Sequence, residues 1–289
     1  MRFERAPGSS SSPSRRDGRR RDERPLSRPA TTWIAVSILV ACVSGTLVPA
    51  GQPLETETAV LLPKGAFKVE STMEYQTSSE GAETDVPLAV EYGLTDRLEL
   101  LVEPVFYTAI RPKMGTQATG VGDLEVTLSY LFLHEAGSHP AMAFAGEAKI
   151  PTARNSLIGT REPDYTPFLI ISRHFGKLVA HANLGYTFVG QPPGPRLKNT
   201  INFAAALEYH VNGRWDIVGE FLGNTASLPS SEQDPTGTPN AVTPEAAGAE
   251  RSFMVGGRYI LRPGMYLSLG VSYDNNNALL LRPGFTFRF

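Results

Sequence analysis

The amino-acid sequence predicts an all-β fold, an antiparallel transmembrane β-barrel of about 12 strands that spans residues 65–289. Three observations predict this fold. Apolar and polar residues alternate with a period of two in about twelve segments, which is typical of strands with one apolar face. The connections between these segments alternate between tight turns and longer loops. The last segment continues the alternation up to Phe289.

The predicted strands follow one another at short intervals from Gly65 onward. The fourth is the clearest, because its apolar positions from Leu124 to Phe132 alternate with Asp123, Glu125 and further polar residues. The sixth, residues 165–173, is apolar on both faces, so its facing stays open. An even number of strands near ten residues long is what a closed antiparallel barrel requires. The twelve apolar faces begin at Phe67, Val86, Leu98, Leu124, Met142, Tyr165, Leu178, Ile201, Trp215, Phe253, Met265 and Leu279.

The connections support a barrel over a soluble β-sandwich, the alternative fold for twelve short strands. With a periplasmic N-terminus, even-numbered connections should be short turns and odd-numbered ones longer external loops. Four of the five even-numbered connections are tight turns rich in Gly, Asn, Asp and Pro, at residues 93–96, 175–177, 212–214 and 262–264. Most odd-numbered connections are longer, at residues 109–120, 152–164, 190–199 and 225–251. The last of these is expected to be a mobile loop, although a constriction folded into the mouth stays open.

The final strand resembles the C-terminal strand of bacterial outer-membrane barrels. Its apolar face ends in Phe285, Phe287 and Phe289. The resemblance implies that these aromatic residues are an assembly signal for the barrel-assembly machinery, and that the bacterial cell outer membrane is the location. The expected partners are therefore outer-membrane lipid, the assembly machinery and a small-molecule permeant.

Residues 1–50 predict an N-terminal extension with an export signal. An Arg-rich start precedes an apolar stretch at residues 33–43, and Val48-Pro49-Ala50 follows. Cleavage is expected after Ala50. Lipidation at Cys42 is the alternative, and the true translation start is left open. Residues 51–64 are expected to be a periplasmic segment before the barrel, and whether they enter the lumen also stays open.

Charge and cysteine content exclude several classes of function. Without residues 1–50 the chain has 18 bases and 25 acids, a balance that argues against nucleic-acid binding. The single Cys42 excludes a disulfide framework or a Cys-based metal site within one chain.

The predicted inner face carries many acids and few bases. Two interpretations stay open: a water-filled lumen with acids opposite bases, or a salt-bridged network that fills a narrow barrel. Closure should bring the late bases against the acids of the first three strands. The candidate lumen-lining residues are Glu70, Glu74, Glu91, Glu99, Glu103, Asp123, Glu125, Glu147, Lys149, His181, Glu208, His210, Glu220, Arg258, Arg282 and Arg288.

Two inward polar pairs do not predict a metal site, a cofactor or catalysis. His181 with Asn183, and His210 with Glu208, fit an internal hydrogen-bond network better than metal ligation, because no further His has ligand spacing. A twelve-stranded outer-membrane phospholipase would carry His-x-Ser on one strand face. None of the five His residues is followed two positions later by Ser. An enzyme is therefore not expected, although a cross-strand Ser–His pair stays open.

Five segments in order resemble the outer-membrane family called "putative MetA-pathway of phenol degradation". They are residues 54–59 (LETETA), 62–65 (LPKG), 92–100 (YGLTDRLEL), 120–126 (GVGDLEV) and 149–152 (KIPT). The resemblance implies a barrel that moves small, often aromatic or hydrophobic, compounds across the outer membrane. The leading hypothesis is passive passage of small organic solutes. A closed structural or binding barrel that acts through its external loops is the alternative, and a membrane-embedded hydrolase is less favoured.

Overall fold

The computed structural model describes residues 53–193, 196–227 and 249–289. Its regular elements are fourteen β-segments. The export signal, Cys42 and most of the connection at residues 225–251 lie outside the described residues, so the predictions made for them stay predictions. The segments are β1 (Phe67–Thr72), β2 (Glu74–Thr77), β3 (Gly81–Thr95), β4 (Leu98–Pro112), β5 (Ala118–Gly120), β6 (Leu124–Leu133), β7 (Ala141–Ile150), β8 (Asp164–Phe175), β9 (Leu178–Thr187), β10 (Thr200–Asn212), β11 (Trp215–Asn224), β12 (Arg251–Arg262), β13 (Met265–Asp274) and β14 (Leu279–Arg288).

The fourteen segments form a closed antiparallel barrel with twelve strand positions. β1 and β2 continue one another across Met73, and both pair with β3 and with β14. β5 and β6 likewise share one position, because both pair with β4. β14 closes the barrel on β1, with Val69 opposite Phe287. Closure leaves no sheet edge without hydrogen-bond partners, as a lipid environment requires. The predicted fold class is confirmed.

Large apolar side chains cover the outer surface of the barrel. On β12 and β13, Phe253, Val255, Val271 and Tyr273 are exposed, whereas Met254 between them is fully buried. This alternation follows from the period of two, which places successive side chains on opposite faces of a strand. No helix among the described residues is long and apolar enough to cross a membrane.

The facing of β8, which its sequence left open, is fixed by packing inside the barrel. Ile170 and Ser172 are fully buried on the inner face, and Tyr165 is 55% exposed on the outer face. Ile170 joins a small core with Ala143, Ala145 and Ala59. The N-terminal segment therefore supplies the inner contact that an apolar inward side chain needs.

The first hairpin is longer than the sequence pattern predicted. The first predicted strand ended near Gln76 and the second began near Val86, but the ladder between β2 and β3 continues to Thr77 and Ala82. A tight turn at residues 78–80 replaces the expected longer connection. Polar residues such as Glu83 and Asp85 break the apolar alternation without breaking the backbone ladder. Two other predicted turns contain glycines with positive φ, Gly176 at 66° and Gly264 at 78°.

Candidate functional site in the barrel lumen

The N-terminal segment, defined here as residues 53–64, lies inside the barrel. It leaves β1 at the end that carries the tight turns, where Gly65 N donates to Gly93 O at 2.8 Å and Lys64 N to Asp96 Oδ1 at 3.1 Å. It then turns into the lumen, where Leu54, Thr56 and Ala59 are buried. The sequence analysis left entry into the lumen open, and the described part of residues 51–64 does enter.

Glu220 on β11 holds the start of the N-terminal segment. Its carboxylate accepts hydrogen bonds from the backbone nitrogens of Leu54, Glu55 and Thr56, with Thr56 N at 3.1 Å, and from Thr56 Oγ1 at 3.0 Å. Successive backbone N–H groups that converge on one carboxylate form a strong anion site, and charge-assisted hydrogen bonds of this kind are short. Glu220 is only 1% exposed. The carboxylate is thus fully used by the segment.

A Ser–His pair contacts the middle of the N-terminal segment. Ser172 Oγ on β8 accepts from Ala59 N at 2.8 Å and lies 2.9 Å from His181 Nδ1 on β9. Both side chains are buried beneath the segment, Ser172 completely. This is a cross-strand pair of the kind the sequence left open, but the segment covers the hydroxyl from the lumen. In this arrangement the pair is a structural support.

Two further wall residues bind the backbone of the N-terminal segment. Glu99 on β4 accepts from Leu62 N at 2.6 Å. Asn183 on β9, in the amide orientation that satisfies both of its ends, accepts from Glu57 N at 2.8 Å and donates to Glu57 O at 3.0 Å. The barrel thus holds the segment mainly through its main chain, whose N–H groups would otherwise be buried without partners.

A cavity of about 490 Å³ remains beside the N-terminal segment. It is bounded by Leu54, Glu55 and Glu57 of the segment, and it reaches Asn224 and Glu250 at the long-loop ends of β11 and β12. Leu101, Phe168 and Leu222 are the large apolar side chains of its wall. Most of its charged lining residues are glutamates. The lumen is therefore divided between a bound segment and an open polar space.

Arg282 on β14 joins the cavity wall to the segment. Its Nε lies 2.9 Å from Glu74 Oε1, and its guanidinium donates to Leu54 O. Glu70 and Glu55 lie within 3.9 Å of the same guanidinium. The contact between a late base and acids of the first strand is the arrangement that closure predicted.

A buried ion-pair cluster lies near the tight-turn end of β10, β11 and β12. Arg258 binds the carboxylates of Glu208 and Asp216, the latter at 3.0 Å, and His210 Nδ1 lies 2.7 Å from Asp216 Oδ1. Glu208, His210 and Asp216 could together reach one metal ion. Arg258 already supplies a positive charge to both carboxylates, so the cluster is balanced by the protein itself.

The predicted lumen residues fall into four groups. Glu70, Glu74, Glu91, Glu103, Glu125, Glu147 and Arg282 line the cavity. Glu99 and Glu220 bind the N-terminal segment, and His181 supports Ser172. Glu208, His210 and Arg258 form the ion-pair cluster. The remaining three lie towards the barrel ends. Asp123 accepts a hydrogen bond from Ala153 N at 2.9 Å, and Lys149 pairs with Asp164 at 2.5 Å. Arg288 is opposite Lys68 in the ladder.

Sequence reasoning missed Glu55, Glu57, Ser172 and Asp216. Asp216 could have been found, because a hairpin with its turn at residues 212–214 places it opposite His210. Ser172 lay in the strand of ambiguous facing. Glu55 and Glu57 had no signal, since nothing in a segment without periodicity indicates that it enters a barrel.

A closed antiparallel barrel with an apolar outer surface and a polar, partly filled interior belongs to the class of outer-membrane β-barrels. A family model described as "Putative MetA-pathway of phenol degradation" matches residues 50–289. The chain belongs to this family, as its sequence resemblance indicated.

Solved structures with the same fold are outer-membrane proteins of low sequence identity. The COG4313 outer membrane channel from Pseudomonas putida F1 is 13% identical, with a TM-score of 0.60 over 80% of this chain and 98% of that one. The NanC porin is 10% identical, with a TM-score of 0.52 over 76% and 98%. The KdgM porin is 12% identical, with a TM-score of 0.51 over 77% and 99%. No curated protein matches the chain.

Proposed function

We propose that the protein is a passive outer-membrane channel for small organic solutes. The observation that carries this proposal is the cavity of about 490 Å³ inside a closed barrel whose outer face is apolar. Family membership and the fold shared with proteins named as porins and channels support it.

The cavity bears on the size and polarity of the permeant. Pockets of about 300–1,000 Å³ hold small organic ligands, so the cavity suits one small solute with some water. Carboxylates favour a polar permeant, and the side chains of Phe168 and Leu222 would contact its apolar part. Aromatic compounds with a polar group fit this mixture better than fully hydrophobic ones.

The N-terminal segment limits the width of the passage. It occupies the lumen between the tight-turn end and the cavity, and its backbone is bound by Glu99, Ser172 and Glu220. We therefore expect a lower single-channel conductance with the segment present and a higher one without it.

The first experiment is single-channel recording of residues 51–289 in a planar bilayer, with a variant that lacks residues 51–64 as the comparison. Steady ohmic steps are expected for both proteins, larger for the shortened one. Liposome swelling with small organic solutes should rise in the same order. Silence from both proteins, with folding shown by heat-modifiable gel mobility, would overturn the channel proposal.

Two other hypotheses have less support. Binding through the connection at residues 225–251 stays a prediction, because most of that connection lies outside the described residues. A hydrolase would need an accessible nucleophile, and Ser172 is covered by the N-terminal segment.

A further inference from the structure

The cavity is lined by many more acids than bases. Nine glutamates and a single base, Arg282, are among its lining residues. The glutamates are Glu55, Glu57, Glu70, Glu74, Glu91, Glu103, Glu125, Glu147 and Glu250. An excess of one charge sign inside low-dielectric walls focuses the electrostatic field along a passage.

Several of these acids are already compensated by nearby bases. Arg282 lies beside Glu74, Glu70 and Glu55. Lys68 lies 2.7 Å from Glu91 and 3.6 Å from Glu70. Compensation therefore concentrates on the side of the cavity formed by β1, β2 and β14.

Three acids on the opposite side form no direct ion pair within the described residues. Glu103, Glu125 and Glu147 lie on β4, β6 and β7, and within the described residues they form neither hydrogen bonds nor ion pairs. Lys149 on β7 is opposite Glu125 in the ladder, but its ammonium group lies 2.5 Å from Asp164. The group of Glu103, Glu125 and Glu147, called here the acidic wall, therefore lines the cavity without a directly bound base.

The backbone register places two members of the acidic wall next to one another. Glu103 and Glu125 are directly opposite one another on neighbouring strands. Like charges in directly opposed positions destabilise a sheet, whereas neutral residues there would not. On its other side Glu125 is opposite Lys149, whose charge is shared with Asp164. A cation that passes through the cavity would add a positive charge beside Glu103 and Glu125.

We infer that the channel selects cations, and that its organic permeants include those with an ammonium group. The inference rests on the proposed channel function and assigns the selectivity to the acidic wall. Rings of Asp or Glu side chains select cations in other pores by the same electrostatics. Phe168 and Leu222 line the same cavity and would contact the hydrocarbon part of an organic cation.

The test is the reversal potential of residues 51–289 in a KCl gradient across a planar bilayer. We expect K⁺ to be favoured over Cl⁻ by about tenfold, the lower end of the counter-ion enrichment that a charged cleft produces. The triple variant Glu103→Gln/Glu125→Gln/Glu147→Gln should lose most of this preference and keep its conductance. Propylammonium chloride in place of KCl should give the same sign of reversal potential, which the triple variant should weaken.

The matched control is Glu135→Gln, which removes a carboxylate in the turn between β6 and β7, outside the cavity. Its ion preference should equal that of the parent. Gln at the acidic wall removes repulsion, so the triple variant should fold at least as well as the parent, as heat-modifiable mobility can show. A preference for Cl⁻, or an unchanged K⁺ preference in the triple variant, would overturn the inference. Either result would leave the channel proposal standing. No conductance from folded protein would overturn the channel proposal and this inference with it.

Discussion

The carboxylate of Glu220 accepts two hydrogen bonds from Thr56, one from its backbone nitrogen at 3.1 Å and one from its hydroxyl at 3.0 Å. The two residues are 164 positions apart in the chain, and both are buried inside the barrel. This contact fixes the far end of the N-terminal segment to the wall. Mutation of Glu220 is therefore expected to change the width of the lumen.

Replacing Glu220 by Ala should release the start of the segment. A hydrogen bond to a charged group contributes about 1.5–3 kcal/mol, and the buried N–H groups of Leu54, Glu55 and Thr56 would lose their acceptor. Single-channel recordings should show larger or more frequently fluctuating steps than those of the parent. Glu80→Ala, in the exposed turn between β2 and β3, is the control. Traces from Glu220→Ala that match the parent would contradict the assigned role.

Replacing Ser172 by Ala should weaken the middle of the segment more locally. The buried N–H of Ala59 would lose its acceptor at a cost of about 1–3 kcal/mol. Hydrogen–deuterium exchange at Ala59 should become faster. Ser129→Ala on β6 is a matched control, because Ser129 is also buried but forms no hydrogen bond through its side chain within the described residues. Equal protection of Ala59 in the two variants would show that the serine does not hold the segment.

Gly93→Ala should displace the segment where it enters the lumen. A Cβ at this position would collide with the carbonyl oxygens of Pro63 and Leu62, which are backbone atoms and cannot rotate away. We expect a lower thermal stability and a changed conductance. Gly146→Ala on β7 is the control, because a Cβ there meets no atom within 4 Å. The prediction fails if the two glycine variants behave alike.

Arg258→Met should destabilise the barrel itself rather than the segment. The fully buried Glu208 would lose its compensating charge, and breaking a buried ion pair from one side costs about 3–5 kcal/mol. Urea unfolding in lipid vesicles measures the loss. The double variant Glu208→Gln/Arg258→Met should recover part of it, since both charges are then removed. A double variant less stable than Arg258→Met would contradict this explanation.

The pH of the solution should change how firmly the segment is bound. Burial in the barrel raises the pKa of Glu57 from 4.5 to about 8, with further repulsion from Glu91 and partial opposition from Lys68. The bound segment therefore holds more protons than the released one between these two values, so binding weakens as the pH rises through this window. Channel opening should become more frequent from pH 4.5 to about 8. Glu57→Gln should flatten this response, and an unchanged pH profile in that variant would contradict the role of Glu57.

The strands and most turns could be predicted from the sequence because their signals are local. A period of two in the apolar residues, as in β6, depends only on neighbours in the chain and on the need of one face to meet lipid. Turn residues such as Gly176 and Gly264 act over three or four positions. Closure followed from these elements, since an open edge has no partner in a membrane.

What the sequence by itself determined is thus the barrel, its two faces and the acidic character of its interior. Only the tertiary structure decided which acids bind a base directly, as Glu74 binds Arg282 across 208 residues, and which adjoin another acid, as Glu103 adjoins Glu125. It also decided the inward face of β8 and the course of residues 53–64. The physical reason is that closure brings distant positions together, while the N-terminal segment is bound through its backbone groups, which are the same in every sequence.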